Sequence, residues 1–125
     1  MRGKVKDGLL ESAADRSWVT SEVVAGYTKP FTNVNAVQTG FRGMVNAREQ
    51  QALRPRLSQI STPVTLLVGA GRPGQVDPAD LRIMVESLPR LLVDSIAGAG
   101  QYIQEEKPAA VVNAVKEILE RRSGG

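Results

Sequence analysis

The chain has 125 residues, of which 42% are hydrophobic and 23% charged, a composition that suits one globular domain and excludes a disordered chain. Its formal net charge of +3 comes from basic residues scattered along the sequence, which favours a solvated surface over a nucleic-acid interface. The sequence has no cysteine and no histidine, which excludes disulfides, a thiolate nucleophile and the commonest general base and metal ligand.

The first half of the sequence predicts helices. Residues 1 to about 18 carry mixed charge and two glycines, which predicts a loop or one short helix. Thr20 is the predicted N-cap of the next helix, with Glu22 in its first turn, and Pro30 ends it. A further helix over about residues 35–51 is indicated by an apolar stripe at spacings of three and four. The stripe consists of Val37, Phe41, Met44 and Val45, and Arg48 follows at the same spacing.

The second half predicts a β-α-β unit. Residues 63–69 are apolar at both positions of the period-two pattern, which is typical of a parallel strand covered by helices on both faces. Asp77 is the predicted N-cap of the following helix, with Pro78 at its first position. A second strand is predicted over residues 91–96, and a last amphipathic helix opens at Pro108. We therefore expect an α/β fold in which two parallel strands are flanked by helices.

The sequence of the loop after the first strand matches a dinucleotide-binding pattern. Gly69, Gly71 and Gly74 form a G-x-G-x-x-G sequence, and Asp94 follows where such proteins hold a ribose hydroxyl. However, the helix begins only at Asp77, beyond the last glycine, so its N-terminus would not meet the phosphates. A small dinucleotide-binding protein using these residues is therefore one alternative, and we favour no cofactor.

The stretch from Thr62 to Pro108 supports another interpretation. Its strand, the helix ending in Ser-Leu-Pro, and the segment Ile96–Pro108 together resemble the C-terminal part of the α/β-hydrolase family. In that family the second of these strands ends in a glycine-rich turn, followed by a histidine, an aromatic residue and a Glu-x-Pro sequence. The resemblance covers roughly residues 57–122, and residues 20–48 more loosely resemble the last helices of the family's cap region. It implies a partial three-layer α/β-hydrolase-like fold.

The resemblance also places the family's catalytic residues, and this sequence lacks them. The catalytic histidine falls on Gln101, and an amide cannot take a proton from a serine. The position of the catalytic acid falls on Arg72 when it is counted from Gly69, and on Gly74 when it is counted back from Pro78. Asp77 is the nearest carboxylate. The G-x-S-x-G turn that would present a nucleophilic serine does not occur in the sequence.

These observations favour a truncated, non-catalytic α/β-hydrolase homologue that acts as a binding or assembly module. Its expected organisation is a helical, cap-like segment over residues 1–56 and a hydrolase-like β-α-β-α part over residues 57–125. An alternative is the C-terminal part of an active hydrolase whose nucleophile lies on a missing upstream segment.

Two parallel strands leave sheet edges unpaired, so we expect a homo-oligomer or docking onto a chain that supplies the missing strands. We expect no nucleic-acid partner. No apolar run is long enough for a signal peptide or a membrane span, so we also expect no membrane partner and a soluble, cytoplasmic protein.

Overall fold

The computed structural model describes residues 2–47, 53–72 and 76–123, and it confirms the predicted α/β class with two parallel strands flanked by helices. The helices and strands are, in chain order, α1 (Arg2–Ser12), α2 (Ser21–Thr28), α3 (Val34–Asn46), β1 (Val64–Gly69), α4 (Pro78–Ser87), β2 (Leu91–Ile96), α5 (Ile103–Glu106) and α6 (Pro108–Ser123). Two 3-10 helices, Lys29–Thr32 and Arg54–Gln59, lie between these elements.

Side-chain caps begin two helices where the sequence predicts them. The Thr20 hydroxyl accepts a hydrogen bond from the Val23 amide at 3.3 Å. The Asp77 carboxylate accepts one from the Ala79 amide at 2.7 Å. The Asn33 side chain, which was not predicted as a cap, begins α3 in the same way. Each cap satisfies one of the amides that a helix leaves without a partner at its N-terminus.

α2 ends at Thr28, just before Pro30, as predicted. Pro30 itself lies in the first turn of a 3-10 helix, where its missing N–H costs no hydrogen bond. α3 ends at Asn46, and residues 48–51 of the longer predicted helix lie outside the described residues. α5 was not predicted, because four residues are too few to show a hydrophobic period.

The two strands run parallel, with Val64 beside Leu91 at one end and Gly69 beside Ile96 at the other. Helices flank the strands, but in the described part of the chain they cover them incompletely. β1 is only half-buried over most of its length, and in β2 the side chains of Leu92 and Val93 are 42% and 36% exposed. Successive strand residues point to opposite faces, so both faces of β2 are partly open.

The apolar side chains that are buried among the described residues are Leu9, Ala13, Val24, Leu88 and Ala99. Most of them lie in α1, α2 and the turn after β2, so the best-packed region is at one end of the sheet. The apolar stripe of α3, by contrast, faces outward, with Phe41 62%, Met44 75% and Val45 76% exposed. No helix in the described ranges is long and apolar enough to span a bilayer.

Candidate functional site

The candidate site lies where the carboxyl ends of β1 and β2 meet, the edge at which open α/β sheets usually bind ligands. The two chain segments leaving the strands are bonded directly to each other. The Ala70 amide donates to the Ile96 carbonyl at 3.0 Å, and the Gly71 amide donates to the Ala99 carbonyl at 2.8 Å. The two turns are therefore joined through their backbones.

Glycines make this close contact possible. A Cβ added to Gly69 would overlap the carbonyl oxygens of Ala99 and Gly100, and a Cβ on Gly100 would lie 2.5 Å from the Ser12 carbonyl oxygen. Gly98 has a φ of 69°, a left-handed conformation that side-chain-bearing residues rarely adopt. The glycine-rich sequence of the second turn is thus explained by backbone packing.

Glu106 connects this turn to the N-terminal part of the chain. Its carboxylate accepts hydrogen bonds from the amides of Gly100 at 3.1 Å, Asp15 at 2.9 Å and Ala14 at 3.1 Å. Hydrogen bonds to a charged group each contribute about 1.5–3 kcal/mol when sheltered from water, and less where, as here, two of the donors are exposed. The backbone N–H of Gln101 adds a fourth link, because it donates to the Ser12 carbonyl at 3.1 Å.

Sequence reasoning used Glu106 only as part of the Glu-x-Pro pattern and missed this role. The partners of its carboxylate lie 91 and 92 positions away at Asp15 and Ala14, and no periodicity links such distant positions. The one available signal was an acidic residue placed shortly after a glycine-rich turn, where free amides are common.

Gln101, the residue at the predicted histidine position, is exposed at the mouth of a shallow cavity of about 280 Å³. The cavity is otherwise lined mainly by apolar and glycine residues: Leu67, Val68, Gly69, Val76, Gly100 and Ile103. A glutamine side chain donates and accepts hydrogen bonds but does not titrate near neutral pH. This cavity can hold a small apolar group beside the side-chain amide of Gln101. The Gln101 side chain cannot act as a general base there.

The predicted acid positions do not bring a carboxylate to Gln101. Arg72 is exposed in the bend that follows β1, and Gly74 lies outside the described residues. Asp77 is engaged at the start of α4, where its side chain caps the helix. Within residues 2–47, 53–72 and 76–123 no group of three or more His, Cys, Asp or Glu side chains could hold a metal ion.

The dinucleotide alternative finds little room in the loop after β1. The amides of Ala70 and Gly71 already donate to carbonyl groups, and the space beside Gly69 is filled by the second turn. Asp94 is exposed in the middle of β2, opposite Leu67, rather than at the strand end. A pyrophosphate would need free amides at these glycines, so the geometry speaks against this interpretation.

An aromatic cluster joins α2 to the segment that follows the turn. The Tyr102 ring lies 5.5 Å from the Trp18 ring and 5.9 Å from the Tyr27 ring, centroid to centroid, with the two tyrosines edge to face. The Tyr27 hydroxyl donates to the Glu105 carboxylate at 2.9 Å. Burial raises the pKa of Tyr27 above its ordinary value, and the hydrogen bond to Glu105 raises the pKa further.

The fold is similar to that of two longer proteins of known structure. The chain matches Cfl2 from Burkholderia cenocepacia with a TM-score of 0.72 and 20% identity, over 93% of this chain. Over the whole length of this chain, it matches a membrane phospholipase A, described as a bacterial virulence factor, with a TM-score of 0.66 and 16% identity. The chain spans 40% of each of these proteins. At such identities the likeness is one of fold. No protein-family model and no curated protein matches the sequence.

Proposed function

We propose that this chain is a non-catalytic module with the fold of the C-terminal part of an α/β hydrolase, and that it acts by binding or assembly. The observation that carries the proposal is the turn after β2. Gln101 stands where the resemblance puts a histidine, and the neighbouring Glu106 holds three backbone amides. The fold likeness to a phospholipase supports the hydrolase-like part of the proposal.

Serine hydrolysis needs a nucleophile, a base within hydrogen-bonding reach and a group that orients the base. The sequence contains no histidine and no G-x-S-x-G turn, and Asp77 is engaged as a helix cap. In this proposal the chain keeps the turn after β2 and its Glu106 contacts, but no side chain at this turn can act as the catalytic base.

The proposed organisation has a helical, cap-like segment over residues 1–56 and the hydrolase-like part over residues 57–125. Contacts between the two run through Tyr27 and Glu105 and through the amides bound by Glu106. The N-terminal segment would thus buttress the turn that carries Gln101.

An assembly role is supported by the exposure of the sheet. Both faces of β2 are partly open, and several apolar side chains of α4 and α6, such as Val85, Val112 and Val115, are more than half exposed. Contiguous exposed apolar surface marks interaction sites in stable proteins. A further chain, either a second copy or one that supplies strands, would cover it.

Ester hydrolysis by the purified chain tests the proposal. With a nitrophenyl ester we expect a rate equal to the buffer background, and after incubation with a serine-directed phosphonate we expect an unchanged mass. Hydrolysis above background together with a mass increase of one phosphonyl group would overturn the non-catalytic assignment.

A second candidate is favoured by the lengths of the structural neighbours, since the chain spans only 40% of each. In this alternative the chain is the C-terminal part of an active hydrolase, and the nucleophile lies on a separate segment. Gln101 weighs against it, because a supplied serine would still lack a base. Phosphonate labelling confined to a longer form of the protein would favour this candidate.

A further inference from the structure

A second cavity lies at the opposite end of the sheet from Gln101, where the amino ends of the two strands meet the last turns of α6. Its volume is about 670 Å³, within the range of about 300–1,000 Å³ that is usual for small-molecule sites. Three separate segments of this chain line it: the residues that lead into β1, the first residues of β2 and the C-terminal part of α6. The cavity beside Gln101 is smaller, and its described lining carries no charged residue.

Part of the lining of this second cavity is apolar. Leu91 and Ile118 are half-buried, so they are already partly sheltered from water. The parallel register sets Leu92 beside Thr65, which joins the β2 side of the cavity to the β1 side. Pro63 completes the apolar part. An apolar ligand body would displace water from this surface, which is favourable.

Two arginines bring positive charge to the same cavity. Arg90 Nη1 donates to the Ser61 carbonyl oxygen at 3.3 Å, which uses one of the five guanidinium donors. No carboxylate in the described ranges lies within ion-pair distance of Arg90. Arg121, by contrast, pairs with Glu117 on α6 at 3.0 Å. The two guanidinium groups and the one carboxylate therefore leave a single net positive charge at the cavity.

We propose that this cavity binds a small monocarboxylate with an apolar body. A guanidinium matches a carboxylate through two parallel N–H···O bonds, and Arg90 has further donors for them. The hydroxyl groups of Thr62 and Thr65 add polar partners. A single net charge favours a monoanion over a phosphate dianion, and the apolar lining favours a carboxylate that carries a hydrocarbon group. The inference rests on the proposed binding role and gives it a ligand class.

Titration of the isotope-labelled chain with hexanoate, followed through amide chemical shifts, tests this inference. Saturable shifts are expected in residues 61–65, 90–92 and 118–121. Hexanol has the same body without the charge, and inorganic phosphate has charge without the body. Each is expected to bind at least about tenfold more weakly. Hexanoate shifts that centre on the exposed stripe of α3, or equal binding of hexanol or phosphate, would overturn the inference.

Arg90→Gln separates the charge from the shape of the cavity. Arg90 is exposed, so the variant is expected to fold as wild type does. Its affinity for hexanoate is expected to fall about tenfold, as when a charge-assisted hydrogen bond is lost. Arg82→Gln removes an exposed arginine of α4 that does not line the cavity, and this control should bind hexanoate as wild type does.

Wild-type affinity in Arg90→Gln, an equal loss in Arg82→Gln, or the absence of hexanoate-induced shifts in the wild-type chain would each contradict the proposed ligand. None of these outcomes changes the expected absence of ester hydrolysis, and hydrolysis above background would leave hexanoate binding at this cavity unaffected. The two proposals can therefore fail separately.

Discussion

The turns at the carboxyl ends of the strands are packed differently from the strands and the outer helices. At the carboxyl ends of the strands, glycines, the Glu106 carboxylate and a buried Ala99 lock the turns to α1 and its following residues. Along β2 and the outer helices, several apolar side chains are exposed. The turn region is therefore held by contacts within the described part of the chain, whereas much of the apolar surface of β2, α3 and α6 is exposed.

The largest expected effect comes from filling the close contact at the turn. Gly100→Ala places a Cβ 2.5 Å from the Ser12 carbonyl oxygen and 2.7 Å from the Ala14 amide nitrogen. Both are backbone atoms that cannot move aside cheaply, so we expect a loss of about 3 kcal/mol in unfolding free energy, measured with urea.

The matched control for that change is Gly40→Ala in α3. No atom outside its own helix lies within 4 Å of the added Cβ. Alanine is the better helix former by about 1 kcal/mol, so this variant is expected to be more stable than wild type. Equal destabilisation by the two alanines would contradict the contrast between the two regions.

Removing the carboxylate at the turn is expected to have the next largest effect. Glu106→Ala leaves the amides of Ala14, Asp15 and Gly100 without their acceptor. We expect a loss of about 2 kcal/mol, because water can replace part of what the exposed amides lose. Glu106→Gln keeps one acceptor oxygen and should recover about half. Glu120→Ala on the exposed face of α6 is the control, and a loss there equal to that of Glu106→Ala would refute the special role of Glu106.

Tyr27→Phe tests the link between α2 and α5. It removes the hydrogen bond to Glu105, worth about 1 kcal/mol. The pKa of Tyr27 is raised in the folded chain, so its contribution is complete below the unfolded-state value of about 10. That contribution is lost as the pH rises through the folded-state pKa. The stability difference between wild type and variant should therefore shrink above pH 10, and a difference that grows there would contradict this account.

The smallest effect is expected on the open helix α3. Val45→Gln replaces a side chain that is 76% exposed, so the unfolding free energy should change by less than about 0.5 kcal/mol. A loss above about 1.5 kcal/mol would contradict the exposure of this stripe.

The sequence was informative where local chemistry decides the structure. Residues 91–96 and the caps Thr20 and Asp77 are as predicted, because strand propensity and helix capping act over a few positions. Burial was less predictable, since an apolar stripe such as that of α3 shows that a face can be covered but not what covers it. The bonds from Glu106 to Ala14 and Asp15 were out of reach, because only the folded chain brings those segments together.

Amide hydrogen exchange tests the contrast most directly. The account predicts that the Gly100 amide, held by Glu106, is well protected. It predicts that the Leu67 amide, which the alternation of strand amides directs away from β2, exchanges faster. Strong protection of Leu67, or rapid exchange of Gly100, would contradict it.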